Sequence, residues 1–134
     1  MSSVRPAIVT TATGRFRQVV QIGPHRLVAD EPTDAGGDDA GPSPRELLLA
    51  SLGTCTSMTV REYAARKGWP LASVDVAVHG EADRPGEFRI TLHIRLGGSL
   101  TPDQLARLHE IANRCPVHKV LSGRIQIESD IALA

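Results

Sequence analysis

The stretch LLLASLGTCTSMTV, residues 47–60, decides the fold of this 134-residue chain. It has the composition of an apolar helix, yet it carries a glycine at Gly53 and a thiol at Cys55. Its leucine, alanine and methionine side chains fall on nearly every side of the helix, which is typical of a helix buried all round. One small sheet cannot cover that much apolar surface. The stretch therefore predicts an obligate two-fold dimer with an isologous interface.

The helix around this stretch has clear start and stop signals. Ser43 can cap its N-terminus and Pro44 suits the first helical position. Glu46 follows Ser43 by three residues, which completes a capping box. Gly68 predicts that the helix ends near Lys67.

Short elements with turn signals between them surround this helix. Before it, strands are predicted at 6–12, 17–22 and 25–31, joined as an antiparallel meander. The Gly-, Asp- and Pro-rich residues 33–44 predict a loop that is long for a compact domain, and such loops are often functional.

After the central helix, the alternating pattern of a hairpin is followed by two helices and a last strand. The second helix should end at Cys115, because Pro116 disfavours helical geometry in the residue before it. The order predicts one α+β domain, residues 1–134, with a mostly antiparallel sheet. The expected elements are 73–82, 87–96, 101–115, 116–122 and 124–133.

Composition excludes several classes of function. Fifteen basic residues balance fifteen acidic ones, and only one Trp, one Tyr and two Phe are present, so a nucleic-acid surface is not expected. The N-terminus lacks the apolar region of a secretory signal, and no apolar run reaches the length of a membrane helix. We therefore expect a cytoplasmic protein without membrane association, in which a permanent disulfide is improbable.

The two thiols, Cys55 and Cys115, allow three interpretations. Each could be a small buried hydrophobe. Cys115 and His118 have the spacing of metal ligands, and Cys55 could add a third. As a redox pair they would need a thiolate, which burial in an apolar helix disfavours, so a cation would have to come from elsewhere in the fold.

The spacing of these residues resembles a known family. Pro44-x-Glu-Leu-Leu-Leu-Ala precedes a cysteine eleven residues after the proline, and Arg-Cys-Pro follows at 114–116. Together with TATGRFRQVV at 11–20 and CPVHKVLSG at 115–123, this pattern resembles the OsmC/Ohr family, and its broad OsmC-like branch most closely. The resemblance implies an intertwined homodimer, with antiparallel sheets from both chains wrapped around two central helices.

The resemblance also implies a chemistry and its residues. Members of the family reduce organic hydroperoxides with a cysteine pair that a thiol or dithiol reductant recharges, and no cofactor is expected. Cys55 matches the peroxidatic cysteine, Cys115 the resolving cysteine and Arg15 the arginine that stabilises the thiolate. The family's catalytic glutamate directly follows the proline, and here that position is Arg45, with Glu46 one residue later. Arg45 and Glu46 are possible supports of the site.

Apolar walls formed by Leu48, Leu52 and Met58 would favour a hydrophobic peroxide. Arg45 precedes Cys55 by ten residues, a rise of roughly 15 Å along the helix, which is too far for its side chain to reach that thiol. Arg15 is predicted to lie on a loop between strands and is free of this constraint, so it is the predicted partner of the thiolate.

The alternative function is a non-catalytic dimer that binds a small apolar or thiol ligand in the same pocket, and the missing glutamate favours it. The sequence does not name the physiological substrate or reductant.

Overall fold

A computed structural model describes residues 3–134 of the chain. The chain forms two compact units, one that ends at Leu48 and one that spans Leu49–Ala134. The first unit contains an antiparallel sheet in which each strand pairs with the next, so the predicted meander is confirmed with shorter strands. Its strands are β1 (Ile8–Thr11), β2 (Gln18–Ile22) and β3 (His25–Ala29), and a 3-10 turn follows at Thr33–Ala35.

Helix α1 (Pro44–Lys67) begins and ends where the sequence predicts. The Ser43 backbone N–H donates to Glu46 Oε1 at 2.8 Å, and the Glu46 N–H donates to Ser43 Oγ at 3.3 Å. This reciprocal pair is the predicted capping box, and it satisfies backbone donors that the first turn of a helix leaves unpaired.

The second unit places a hairpin against helices. Strands β4 (Leu71–Glu81) and β5 (Arg89–Gly98) pair antiparallel, and helices α2 (Pro102–Ala112) and α3 (Pro116–Ser122) follow. Alternate side chains on the two strands are partly buried and face the helices, as period-two patterning predicts. The centre of this unit is a cluster of buried side chains from α1 and α2: Val60, Ala64, Leu108 and Ala112.

In the single chain, helix α1 buries one face, formed by Leu52, Gly53, Thr56, Val60 and Ala64. Its burial on all sides stays a prediction about the dimer. The prediction of a last strand is wrong. Residues 124–133 do not form a strand, because no other segment of the described chain pairs with them. Their side chains are exposed, including Ile127 at 86% and Ile131 at 98%. A strand is defined by its hydrogen-bonded neighbour, so alternating sequence alone does not produce one.

None of the helices within residues 3–134 combines the length and the apolar character needed to cross a membrane.

Candidate functional site

The part of α1 around Cys55 packs closely on β4. A Cβ atom at Gly53 would lie 3.0 Å from Val78 Cγ2, which is tighter than ordinary van der Waals contact. Glycine at this position therefore lets the helix come close to the sheet. Cys55 lies two residues further along the helix and is half-buried.

Cys115 lies in the junction between α2 and α3 and is completely buried. It is the N-cap of α3, with the extended backbone (φ −65°, ψ 146°) that Pro116 at the next position favours. Its Sγ accepts a hydrogen bond from the backbone N–H of His118 at 3.2 Å. The prediction that the second helix stops before this proline is confirmed, although α2 already ends at Ala112.

Thr56 connects α1 to Cys115. Its hydroxyl, which is fully buried, donates to the carbonyl of Leu52 at 2.8 Å and lies 3.8 Å from Cys115 Sγ. A hydroxyl has only one hydrogen to donate. With that hydrogen directed at Leu52, the Cys115 S–H is the donor in the contact with Thr56. This contact links α1 to the junction between α2 and α3.

The surroundings of Cys55 raise its pKa above the ordinary value for a cysteine. Burial is the largest cause, because a thiolate loses solvation in an apolar environment. The hydrogen bond and the charge interaction with Cys115 raise this pKa further. Hydrogen bonds to Cys55 from the backbone N–H of Val117 and from the Thr59 side chain act in the opposite direction without reversing the shift. This thiol therefore needs a nearby cation to become a reactive thiolate, as its place in an apolar helix predicts.

The two sulfurs are therefore neighbours. Cys115 is close enough to Cys55 to influence its pKa, and both cysteines are free. Neighbouring cysteines can form a disulfide when their Cα atoms lie within about 7 Å of each other. The metal interpretation receives no support, since no three His, Cys, Asp or Glu side chains within residues 3–134 are grouped to hold a metal ion. The His118 ring lies 3.4 Å from the Ser122 hydroxyl.

Arg15 lies in the first unit, in the loop between β1 and β2. Its guanidinium carbon is 4.8 Å from the centre of the Phe16 ring, a cation–π contact. Gly36 lies against the same side chain, because a Cβ there would be 3.1 Å from Arg15 Nη1. Gly36 also has a left-handed φ of 92°, which a side chain would strain.

Asp30 holds the loop that carries Gly36. The side chain is buried, and its carboxylate accepts hydrogen bonds from the backbone N–H groups of Glu31 (2.8 Å), Ala40 (3.1 Å) and Asp38 (3.2 Å). Burial alone would raise the pKa of this carboxyl. The three hydrogen bonds and the nearby charge of Arg17 outweigh that effect, so the pKa is lowered. The predicted irregular loop is thus tied down around one carboxylate.

Arg45 and Glu46, the possible supports, both lie in the first turn of α1. The Glu46 carboxylate is engaged by Ser43, and the backbone and side-chain hydrogen bonds from that serine lower its pKa. This geometry assigns Glu46 to capping. Arg45 is exposed at the second position of the helix.

The three apolar side chains expected to form walls differ in exposure. Leu52 is 3% exposed and lies one turn from Cys55, and its carbonyl accepts the Thr56 hydroxyl. Leu48 is 37% exposed and Met58 is 68% exposed. In the single chain, only Leu52 is enclosed next to the thiols.

Sequence reasoning missed the polar groups that surround the sulfurs. Thr56 is a polar residue in an otherwise apolar stretch, and its position next to Cys55 was a signal that could have identified it. The backbone N–H of Val117 could not be found from the sequence, because any residue type at that position supplies the same donor.

A comparison with known protein families identifies the family of this chain. The family model described as OsmC-like protein matches residues 36–130, well over half of the chain. The chain belongs to the OsmC-like family. The matched region includes both cysteines of this OsmC-like protein, whereas Arg15 precedes it. None of the curated proteins searched matches the chain.

Solved structures show the same fold. The OsmC-like protein of Mycoplasma pneumoniae is 19% identical, with a TM-score of 0.78 over 92% of this chain and 90% of its own. An organic hydroperoxide resistance protein OsmC of Legionella pneumophila is 22% identical, with a TM-score of 0.67 over 91% and 93%. The organic hydroperoxide resistance protein OhrB of Bacillus subtilis is 21% identical, with a TM-score of 0.60 over 88% and 91%. At these identities the likeness establishes the OsmC fold of the α+β chain.

Proposed function

We propose that this OsmC-like protein is a thiol-dependent reductase of organic hydroperoxides. The Cys55 thiolate attacks one peroxide oxygen, the O–O bond breaks, and the alcohol leaves with a proton while Cys55 becomes a sulfenic acid. The Cys115 sulfur then attacks the Cys55 sulfur, which forms a disulfide and releases water. Two thiol groups of an external thiol or dithiol reduce the disulfide and restore both cysteines.

The observation that carries this proposal is the proximity of two free cysteines, one of which influences the pKa of the other. Cys55 is the more exposed and would meet the peroxide, and Cys115 is buried behind it. Thr56 packs against Cys115 Sγ at 3.8 Å and so helps to position the second sulfur for attack on the sulfenic acid. The names of the Legionella and Bacillus relatives, which refer to organic hydroperoxide resistance, support the same substrate class.

Arg15 is the proposed partner of the Cys55 thiolate. Burial raises the pKa of Cys55, so a positive charge is needed to favour the thiolate at neutral pH. Arg15 lies on a loop, held by the Phe16 ring and Gly36 rather than by a glutamate. The enclosed side chain of Leu52 next to the thiols favours an apolar peroxide.

The active form is proposed to be a homodimer. In the single chain, large apolar side chains of the second unit remain exposed, and an open apolar cavity of about 410 Å³ lies among residues of α1, β5 and α2, such as Val60, Ile94 and Leu105. The alternating segment 124–133 pairs with no strand among residues 3–134. A second copy would cover the apolar face of α1 and provide a sheet edge for this segment.

The alternative is a dimer that binds a small apolar or thiol ligand at the same place without turnover. Two observations favour it: the raised pKa of Cys55, and Arg45 at the position where the family has a catalytic glutamate. In this case the thiols would contact the ligand but would not be oxidised by peroxide.

Counting thiols separates the two functions. The reduced protein is mixed with one equivalent of an organic hydroperoxide, and the remaining thiols are titrated. The reductase loses two thiols per chain, whereas a binding protein loses none. In Cys115→Ser a sulfenic acid should accumulate at Cys55, and Cys55→Ser should not react. Loss of thiols in Cys55→Ser at the parent's rate would contradict the assignment of the peroxidatic residue.

A further inference from the structure

A second cleft of the Leu49–Ala134 unit has the opposite character to the apolar cavity. It has a volume of about 410 Å³ and is lined by Tyr63, Arg66, Lys67 and Arg107, from the last turns of α1 and from α2. Tyr63 follows Cys55 by eight residues, roughly 12 Å along the helix, so the cleft is separate from the thiols.

Two hydrogen bonds fix the central arginine of this cleft. Arg107 Nε donates to the Tyr63 hydroxyl oxygen at 3.0 Å, and Arg107 Nη1 donates to Glu110 Oε2 at 2.8 Å. Neither bond uses Arg107 Nη2, so part of the guanidinium fork remains to donate to a ligand. The Arg107 side chain therefore does not have to be ordered when a ligand binds.

The same bond directs the phenol of Tyr63. Because the Tyr63 oxygen accepts from Arg107, its own hydrogen is available to a second acceptor. The Tyr63 ring also packs edge-on against Trp69, with ring centres 5.6 Å apart, and Lys67 Nζ lies 5.6 Å from the ring centre. Aromatic and cationic neighbours thus hold the hydroxyl in place.

The electrostatic field at the cleft is positive. The hydrogen bond from Arg107 is the largest cause that lowers the pKa of Tyr63, and the charges of Arg107, Lys67 and Arg114 lower it further, against the effect of burial. Three cations line the cleft, and Glu110 is the carboxylate bonded to Arg107. The cations at the C-terminus of α1 oppose the negative end of the helix dipole, which would otherwise disfavour an anion there.

We propose that this cleft binds a phosphate group, either inorganic phosphate or a phosphate monoester. A phosphate group has at least three acceptor oxygens and more than one negative charge at neutral pH, which match an arginine fork, a phenol donor and two further cations. A carboxylate has one charge and two oxygens, so it would leave some of the donors and cations of the cleft without a partner. The proposal is independent of the thiol chemistry.

Trp69 provides the measurement, because it is the only tryptophan of the chain and contacts Tyr63. The reduced full-length protein is titrated with sodium phosphate at constant ionic strength, with chloride as the balancing ion, and the tryptophan fluorescence is followed. We expect a saturable change. Acetate in the same titration should bind at least about tenfold more weakly.

Substitutions in the cleft should change the affinity for phosphate in opposite directions. Arg107→Gln should weaken phosphate binding by about tenfold or more, and Tyr63→Phe, which keeps the ring next to Trp69, should weaken it by about threefold. Glu110→Gln should tighten binding, because it removes the negative charge beside Arg107. Arg89→Gln is the matched control, since Arg89 pairs with Glu81 and Asp83 on the hairpin, and its titration should equal that of the parent.

Several outcomes would overturn the proposal. Absence of a saturable response in the parent removes the site, and equal responses to acetate and phosphate make it a general anion site. Equal weakening in Arg107→Gln and Arg89→Gln would show that only overall charge matters. If Arg107→Gln does not fold, the opposite signs expected for Glu110→Gln and Tyr63→Phe decide the question.

Discussion

Cys55 is a half-buried thiol whose pKa is raised by burial, so the charge that makes it reactive should come from an arginine. In a Cys115→Ser background, Arg15→Ala should reduce the thiolate fraction of Cys55 at pH 7 by about tenfold, whereas Arg45→Ala should leave it unchanged. The measurement is the rate of Cys55 alkylation as a function of pH. A pKa that rises only in Arg45→Ala would contradict the assignment of Arg15, and one that moves in neither variant would favour the ligand-binding function.

Thr56 and Thr54 form a natural pair for testing the polar bridge to Cys115. Both hydroxyls donate to the carbonyl four residues earlier, but Thr56 is fully buried against Cys115 and Thr54 is exposed. Thr56→Val removes the acceptor of a buried S–H and should lower the free energy of unfolding by about 1–2 kcal/mol. Thr54→Val should lower it by less than about 0.5 kcal/mol. Urea denaturation of the reduced proteins measures both, and equal costs would show that the Cys115 contact contributes no stability.

At the scale of elements, Asp30 and the loop it holds make the folding stability depend on pH. The pKa of Asp30 is lowered from 3.8 in the folded state, so the unfolded chain binds this proton more readily. The stability from the charged carboxylate is therefore fully present above about pH 4. It is lost as the pH falls from there through the lower folded pKa.

This sign gives a prediction for Asp30→Asn. The variant should be less stable than the parent at pH 7, and the difference should shrink as the pH falls below the unfolded value. Asp34→Asn is the control, since Asp34 is exposed in the neighbouring 3-10 turn, and it should stay close to the parent throughout. Chemical denaturation at pH 7 and pH 3 checks this, and a difference that is constant with pH would show that the Asp30 charge is not what stabilises the loop.

The positions of α1 and the hairpin could be predicted from the sequence, whereas the pairing of the C-terminal segment could not. Caps and breakers act locally, so Ser43, Glu46 and Gly68 located α1, and the alternation in β4 and β5 located the hairpin. The pairing of residues 124–133 is a non-local property, and no signal within those residues says which edge they meet. The site residues also divide into those that a local motif identifies and those that depend on non-local packing. A motif identified Cys55 and Cys115, whereas the Val117 N–H and the Tyr63–Arg107 bond depend on how separate elements pack.

At the scale of the whole molecule, the exposed apolar side chains argue for a second copy. Met58, Leu105 and Val120 are 68%, 51% and 57% exposed, and they lie on three different helices of the second unit. A second copy packed on these helices would remove this apolar surface from water. The helix stretch that predicts burial on all sides is consistent with such an assembly, in which a partner covers the face that the single chain leaves open.

The C-terminal segment provides the sharpest test of that assembly. Ile127 is 86% exposed, so in a monomer Ile127→Asp should change neither folding nor mass. If the segment pairs with a sheet of a second copy, a buried unpaired aspartate should weaken association by more than about tenfold. Val4→Asp is the matched control, since Val4 is 92% exposed and lies outside both the segment and the helices. Light scattering across micromolar concentrations should report a dimer for the parent and Val4→Asp, and a shift toward monomer for Ile127→Asp. A stable folded parent monomer would refute the dimer, and an Ile127→Asp dimer as tight as the parent's would exclude this segment from the interface.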